Sequence, residues 1–227
     1  MNPDNRLVRM TGAMFLLVIA SSLTEGVINR ELTYSGSAPE ILASVAANPT
    51  AMLVSISLGL GTAVGIVLLG ACLYQVLKAV NGTMAISAFG VFVLEAVAMA
   101  MARIFSYSVY RISVENPISN DLDRAWQHNT VWFFQELSEH TYRVHFFFYC
   151  VGMLLFISLL IKSKLVPRFI SYFGALTVSV GLVGSFFQLF EVTVPMLLFL
   201  PILPFELMMG LWLISKGVAI PTNQTAG

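Results

Sequence analysis

The sequence predicts an all-α fold, a single domain built as a bundle of six transmembrane helices. Three observations predict it. Of 227 residues, 57% are hydrophobic and only 11% charged, against about 25% charged in a soluble domain. Mean hydropathy is +0.82. Residues 41 to 77 and 169 to 190 contain no Asp, Glu, Lys, Arg or His, and about 20 such residues cross a ~30 Å hydrocarbon layer as a helix. An apolar soluble core does not require runs of that length.

The first span covers residues 10–28, behind a start carrying Arg6 and Arg9. Small residues in "VIASS" would suit a signal peptide. Apolar character continues to Val27 with no soluble domain after it, which favours a retained helix. An external loop follows at 29–50; within it, Pro39 and Asn48-Pro49 bracket a short helix. The second span is 51–77, closed by Lys78 and an Asn81-Gly82 turn, and the third is 84–110. Residues 111–142 read as a second external loop whose latter part is amphipathic, with Trp126, Trp132, Phe133 and Tyr142 suited to the headgroup region. The fourth span is 143–161, the fifth is 169–190 after the basic turn "KSKLVPR", and the sixth is 195–215.

Six spans place both termini on one side, together with Arg6, Arg9, Lys78, Lys162, Lys164, Arg168 and Lys216. The opposite loops hold Arg30, Arg111 and Arg124, with Arg143 at the boundary. Basic residues mark the cytoplasmic face, so both termini are expected in the cytoplasm, with the chain in the cell (inner, cytoplasmic) membrane. The net charge is +0, which points away from nucleic acid. Cys72 and Cys150 fall inside apolar spans and read as packing residues.

Two carboxylates interrupt the apolar runs. Glu95 lies 12 residues past Thr83, about 18 Å along a helix rising ~1.5 Å per residue. Glu206 lies 10 residues before Lys216, about 15 Å from the same side. An ionised carboxylate at that depth costs roughly 2.5–3.5 kcal/mol even on a lenient scale. The two are therefore expected to face each other inside the bundle and to share a proton or bind a cation. Pro201 and Pro204 precede Glu206 and would leave the carbonyls of Leu197 and Leu200 without helical partners, adding acceptors to that site. A hydrogen-bonded clasp between helices is the competing reading.

A second polar group gathers towards the external side: Glu25, Arg103, Glu139, His140, Arg143, His145, Gln188 and Glu191. Glu139 with Arg143 and Glu136 with His140 are spaced to pair along one helix face. This group reads either as an ordinary interfacial set of ion pairs or as an external vestibule above the acid pair. "ELSEH" lacks the spacing of a metal-binding helix, and His140 and His145 lie on different faces, so neither metal nor haem nor any other cofactor is expected.

Three stretches, "VFVLEAV", "KSKLVPRFISYFGAL" and "PFELMMGLWLISKG", resemble in order and spacing the domain of unknown function 4386 family. The resemblance covers about residues 6–217 and implies a six-helix integral membrane protein of bacterial type with no assigned activity. From the residues themselves, the expected function is a small-solute or ion transporter, or a ligand-binding membrane protein, using Glu95, Glu206 and Pro204. The alternatives are an intramembrane enzyme acting on a lipid or quinone at the vestibule and a non-catalytic membrane partner. The expected partners are the lipid bilayer and a small molecule or cation. Oligomeric state has no signature in the sequence.

Overall fold

In hydrocarbon every backbone N–H and C=O must find its partner within the protein, and an uncharged apolar run does so by coiling into a helix. The computed structural model describes residues 3–33, 36–115 and 121–216. Among these it contains seven α-helices and no strand: α1 (Pro3–Thr33), α2 (Ala38–Ala47), α3 (Pro49–Leu77), α4 (Gly82–Glu115), α5 (Asp121–Ser163), α6 (Arg168–Leu189) and α7 (Ile202–Lys216). Six helical segments are long and apolar enough to cross a membrane, so this is a multi-pass membrane protein.

The spanning helices close into a ring. α1 packs on α3, α3 on α4, α4 on α5, α5 on α6, α6 on α7, and α7 returns to α1. The short α2 lies across one end against α4 and α5. Large apolar side chains such as Leu17, Val64, Val97, Leu176 and Leu211 are exposed on the outside of α1, α3, α4, α6 and α7. Lipid tails cover such a surface at no hydrophobic cost, whereas water would not.

The helices outrun the apolar segments that announce them. α1 begins at Pro3 and ends at Thr33, and α4 continues to Glu115. The largest departure is in 111–142, expected as a loop. It is helical up to Glu115 and again from Asp121; residues 34–35 and 116–120 of the expected loops lie outside the described residues. α5 is one helix of 43 residues, about 65 Å long, so its first half continues past the apolar part. Its charged half stays helical because Gln127, Val131, Gln135 and Ser138 bury one stripe, while Trp126, Trp132, Phe133 and Glu136 stand exposed.

α7 has only 15 residues, about 22 Å, against about 33 Å for α6. The chain between them makes a 3-10 turn at Met196–Leu198 and starts α7 part-way down α6. Pro204 falls in the first turn of α7, where an N–H has no helical partner to lose. The Leu200 carbonyl accepts the Leu203 N–H at 3.3 Å. The prolines therefore open the helix rather than break it, and the Leu200 carbonyl is not the free acceptor expected from the sequence.

Two buried apolar clusters form the interior. The larger runs from Val8 and Leu77 at the terminal end through Phe92, Phe156 and Phe205. The smaller, at the α2 end, joins Leu32, Ile41, Val45, Met52, Val109 and Val131. The charged residues of the interior belong to neither cluster.

Candidate functional site

Arg103 lies two helical turns beyond Glu95 on α4, about 12 Å nearer the α2 end. Its guanidinium Nη1 donates to Glu25 Oε1 on α1 in an ion pair whose side chains are 2% and 1% exposed. A buried charge pair needs further partners to offset its desolvation. Ser55 of α3 supplies one, its hydroxyl 3.5 Å from Glu25 Oε1, and the Tyr142 ring lies 5.9 Å from the guanidinium carbon. Space for the Arg103 stem comes from Gly59 on α3, where a Cβ would stand 2.5 Å from Arg103 Cδ. Any larger residue there would displace it.

Glu95 is 2% exposed. His145 of α5 places Nδ1 3.3 Å from the Glu95 backbone carbonyl and 3.9 Å from its Oε1. A carbonyl only accepts, so the imidazole proton sits on Nδ1 in this contact. Glu95 Oε2 is buried without a partner. One turn along the same face of α5, the Tyr149 hydroxyl donates to Glu206 Oε1 at 2.7 Å. Glu206 is half-buried and is the fifth residue of α7. It lies within electrostatic range of Glu95.

The two acids thus reach the same interior from α4 and α7, helices that are not neighbours in the ring. Among the described residues no hydrogen bond joins them: the His145 imidazole lies against the Glu95 backbone carbonyl, and Tyr149 donates to Glu206. Pro204 is exposed in the first turn of α7, two residues before Glu206.

The expected vestibule group divides. Glu25, Arg103 and His145 are buried in the interior. Glu139 and Arg143 are 46% and 35% exposed, 3.9 Å apart on the outside of α5, with Gln135 donating to Glu139 at 3.0 Å. His140 and Glu191 are exposed and Gln188 is half-buried. Tyr149 escaped the sequence reading because tyrosine is unremarkable in a membrane span. Its spacing of four from His145 was the available signal.

Among the described residues no group of three or more His, Cys, Asp or Glu could hold a metal ion. Cys72 and Cys150 are both free and buried. An apolar groove of about 600 Å³ lies between α6 and residues 192–198, lined by Leu176, Val183, Phe187, Val194 and Leu198.

Over residues 10–217 the sequence matches the family described as a domain of unknown function, DUF4386. The chain belongs to that family. No curated protein and no solved structure matches it. The DUF4386 match runs from within α1 past the end of α7, so the whole ring and its buried acids belong to the family domain. The family description carries no activity, and the chemistry of the interior has to speak for itself.

Proposed function

We propose that this membrane protein is a small-solute or ion carrier in which Glu95 and Glu206 bind a proton or a cation. One observation supports it above the others. Among the described residues the interior holds the carboxylates Glu25, Glu95 and Glu206 against a single guanidinium, and Arg103 is already committed to Glu25. Glu95 and Glu206 are left with a histidine, a tyrosine and an unpartnered oxygen. Intramembrane acids in that condition are expensive, and a bound proton or cation offsets the cost. The start of α7 part-way down α6 sets Glu206 within the first two turns of a short helix, and short half-span helices lie beside ion sites in carriers.

The basic residues collected at the terminal end support a reading in which both termini are cytoplasmic and the protein sits in the cell membrane. An enzyme working on a lipid or quinone at an outer vestibule has less support, because Glu139 and Arg143 lie on the outside while Arg103 and His145 lie within.

Native mass spectrometry of the purified chain tests the carrier reading. A bound solute or ion should accompany the wild-type protein and be missing from Glu95→Gln and Glu206→Gln. Wild-type protein carrying only bilayer lipid, with counterflow of cell-extract solutes absent from its liposomes, would contradict it.

A further inference from the structure

Tyr149 and His145 are four residues apart on α5 and therefore share one face of that helix. Tyr149 donates to Glu206 at 2.7 Å, and His145 lies 3.9 Å from the Glu95 carboxylate. α5 thus carries, on a single stripe, one proton-transfer group for each acid. We propose that Glu95, Tyr149 and Glu206 form a proton relay across the bundle, with His145 beside its Glu95 end, and that the ion handled by the acid pair is the proton. This rests on the carrier reading above and names its coupling ion.

The transfer step balances with a single proton. Glu95 in its acid form gives its proton to the Tyr149 oxygen, directly or through one water, while the phenol passes its own proton to Glu206 Oε1. Tyr149 ends as a neutral phenol, Glu95 as a carboxylate and Glu206 as an acid. The phenol already points its hydrogen at Glu206, so the second half of the step has its geometry in place. The unpartnered Oε2 of Glu95 is the atom free to take part in the first half. A proton needs one acceptor oxygen at a time, and the Tyr149–Glu206 contact already supplies it.

The other charged and titratable groups facing the relay do not substitute for it. From α1, Glu25 is occupied by Arg103 of α4. On α5, the Tyr142 ring packs tilted against His145 at 5.1 Å between ring centres, and Cys150, next to Tyr149, is a buried thiol. α3 offers the hydroxyl of Ser55, which serves Glu25. Beyond His145, the Arg103–Glu25 pair stands between the relay and the α2 end.

Liposomes containing the full-length protein and an internal pH-sensitive dye, driven by a potassium diffusion potential, provide the test. Wild-type protein should admit protons. Tyr149→Phe keeps the ring but removes the hydroxyl, and should slow entry at least tenfold, as should Glu95→Gln. Arg143→Ala should conduct like wild type, and all variants should melt within a few degrees of it. Unchanged flux in Tyr149→Phe would overturn the relay and leave the acid pair standing. A Glu95-dependent flux of radioactive sodium with no proton flux would overturn the relay and keep the carrier reading. Fluxes of both ions that ignore Glu95 would remove both.

Discussion

Arg103 on α4 and Glu25 on α1 form a buried ion pair that reaches past α3, the helix packed between them. The pair passes through a notch at Gly59 of α3, so three helices depend on one contact. Breaking a buried pair by removing one partner costs about 3–5 kcal/mol, while replacing both with apolar groups is often close to neutral. Arg103→Met and Glu25→Leu should each lower the melting temperature of the detergent-solubilised protein sharply. The double variant should recover most of the loss. Additive losses in the double variant would show that the two side chains act separately.

A second prediction concerns the close crossing of α1 and α7. A Cβ at Gly12 of α1 would meet the Gly210 carbonyl oxygen at 2.7 Å and the Ile214 backbone nitrogen at 2.8 Å. These are main-chain atoms of α7 and cannot yield without moving the helix. A Cβ at Gly210 would instead meet Leu16 Cδ2 at 2.7 Å, the tip of a rotatable side chain, with the Gly12 carbonyl oxygen further off at 3.3 Å. Overpacking costs about 1–3 kcal/mol. Gly12→Ala should fall at the upper end and Gly210→Ala near the lower, and thermal melts of the two variants will show the order.

The sequence made the six spans legible because lipid leaves a strong mark: charge-free runs such as 41–77 have no other economical explanation. α2 was legible too, since Pro39 and Asn48-Pro49 punctuate it, and the helix found is Ala38–Ala47. The first half of α5 was not, because hydropathy registers only where lipid is, whereas a helix continues wherever one stripe can be buried. The acids at 95 and 206 stand out as lone charges. Their partners do not: the residues in the Glu25–Arg103 pair are 78 positions apart, and a sequence says that each needs a partner without saying which. His145 looked like part of an outer group because it lies near Glu139 and Arg143 in the chain. The helical turn aims it at Glu95 instead.

The third prediction is a pH dependence at the α2 cap. Glu40 accepts from the Ser37 backbone N–H at 3.2 Å and from its hydroxyl at 2.7 Å, and these bonds hold the Glu40 carboxyl below its ordinary value. A carboxyl depressed in the folded state adds stability above its unfolded value, of about 4.3, and loses it as pH falls through the lower folded value. Amide exchange in Ile41–Val45 should therefore be protected at neutral pH and accelerate on acidification, after correction for intrinsic rates. Glu40→Gln should remove most of that pH dependence. Equal profiles in the two proteins would detach the cap from α2 stability.

Orientation supplies a fourth. With the termini in the cytoplasm, a cysteine replacing Lys164, in the α5–α6 turn, should resist an impermeant thiol reagent in intact cells. One replacing Asp121 at the start of α5 should react. Both test positions are exposed on the protein surface, and the native Cys72 and Cys150 are buried, so the membrane alone decides access. The opposite labelling pattern would invert the protein and put α2 in the cytoplasm.

The last prediction separates the inner from the outer members of the polar group on α5. Glu139 and Arg143 are separated by 3.9 Å and partly exposed, and an exposed pair of this kind contributes about 0–1 kcal/mol. Alanine at either site should leave the melting temperature and any bound solute or ion nearly unchanged. His145 is buried against the Glu95 backbone carbonyl, with the carboxylate 3.9 Å away, so His145→Ala removes an imidazole that packs directly beside Glu95. It should still insert and fold, with the Tyr142 ring beside the space it leaves. It should nevertheless lose proton entry in liposomes to nearly the extent of Glu95→Gln. His145→Gln, which keeps an N–H donor of similar reach, should restore the hold on Glu95 without restoring a titratable ring. Recovery of structure without recovery of flux in that variant would identify His145 as a member of the relay. Recovery of both would reduce it to a positioning residue, and full flux in His145→Ala would exclude it from either role.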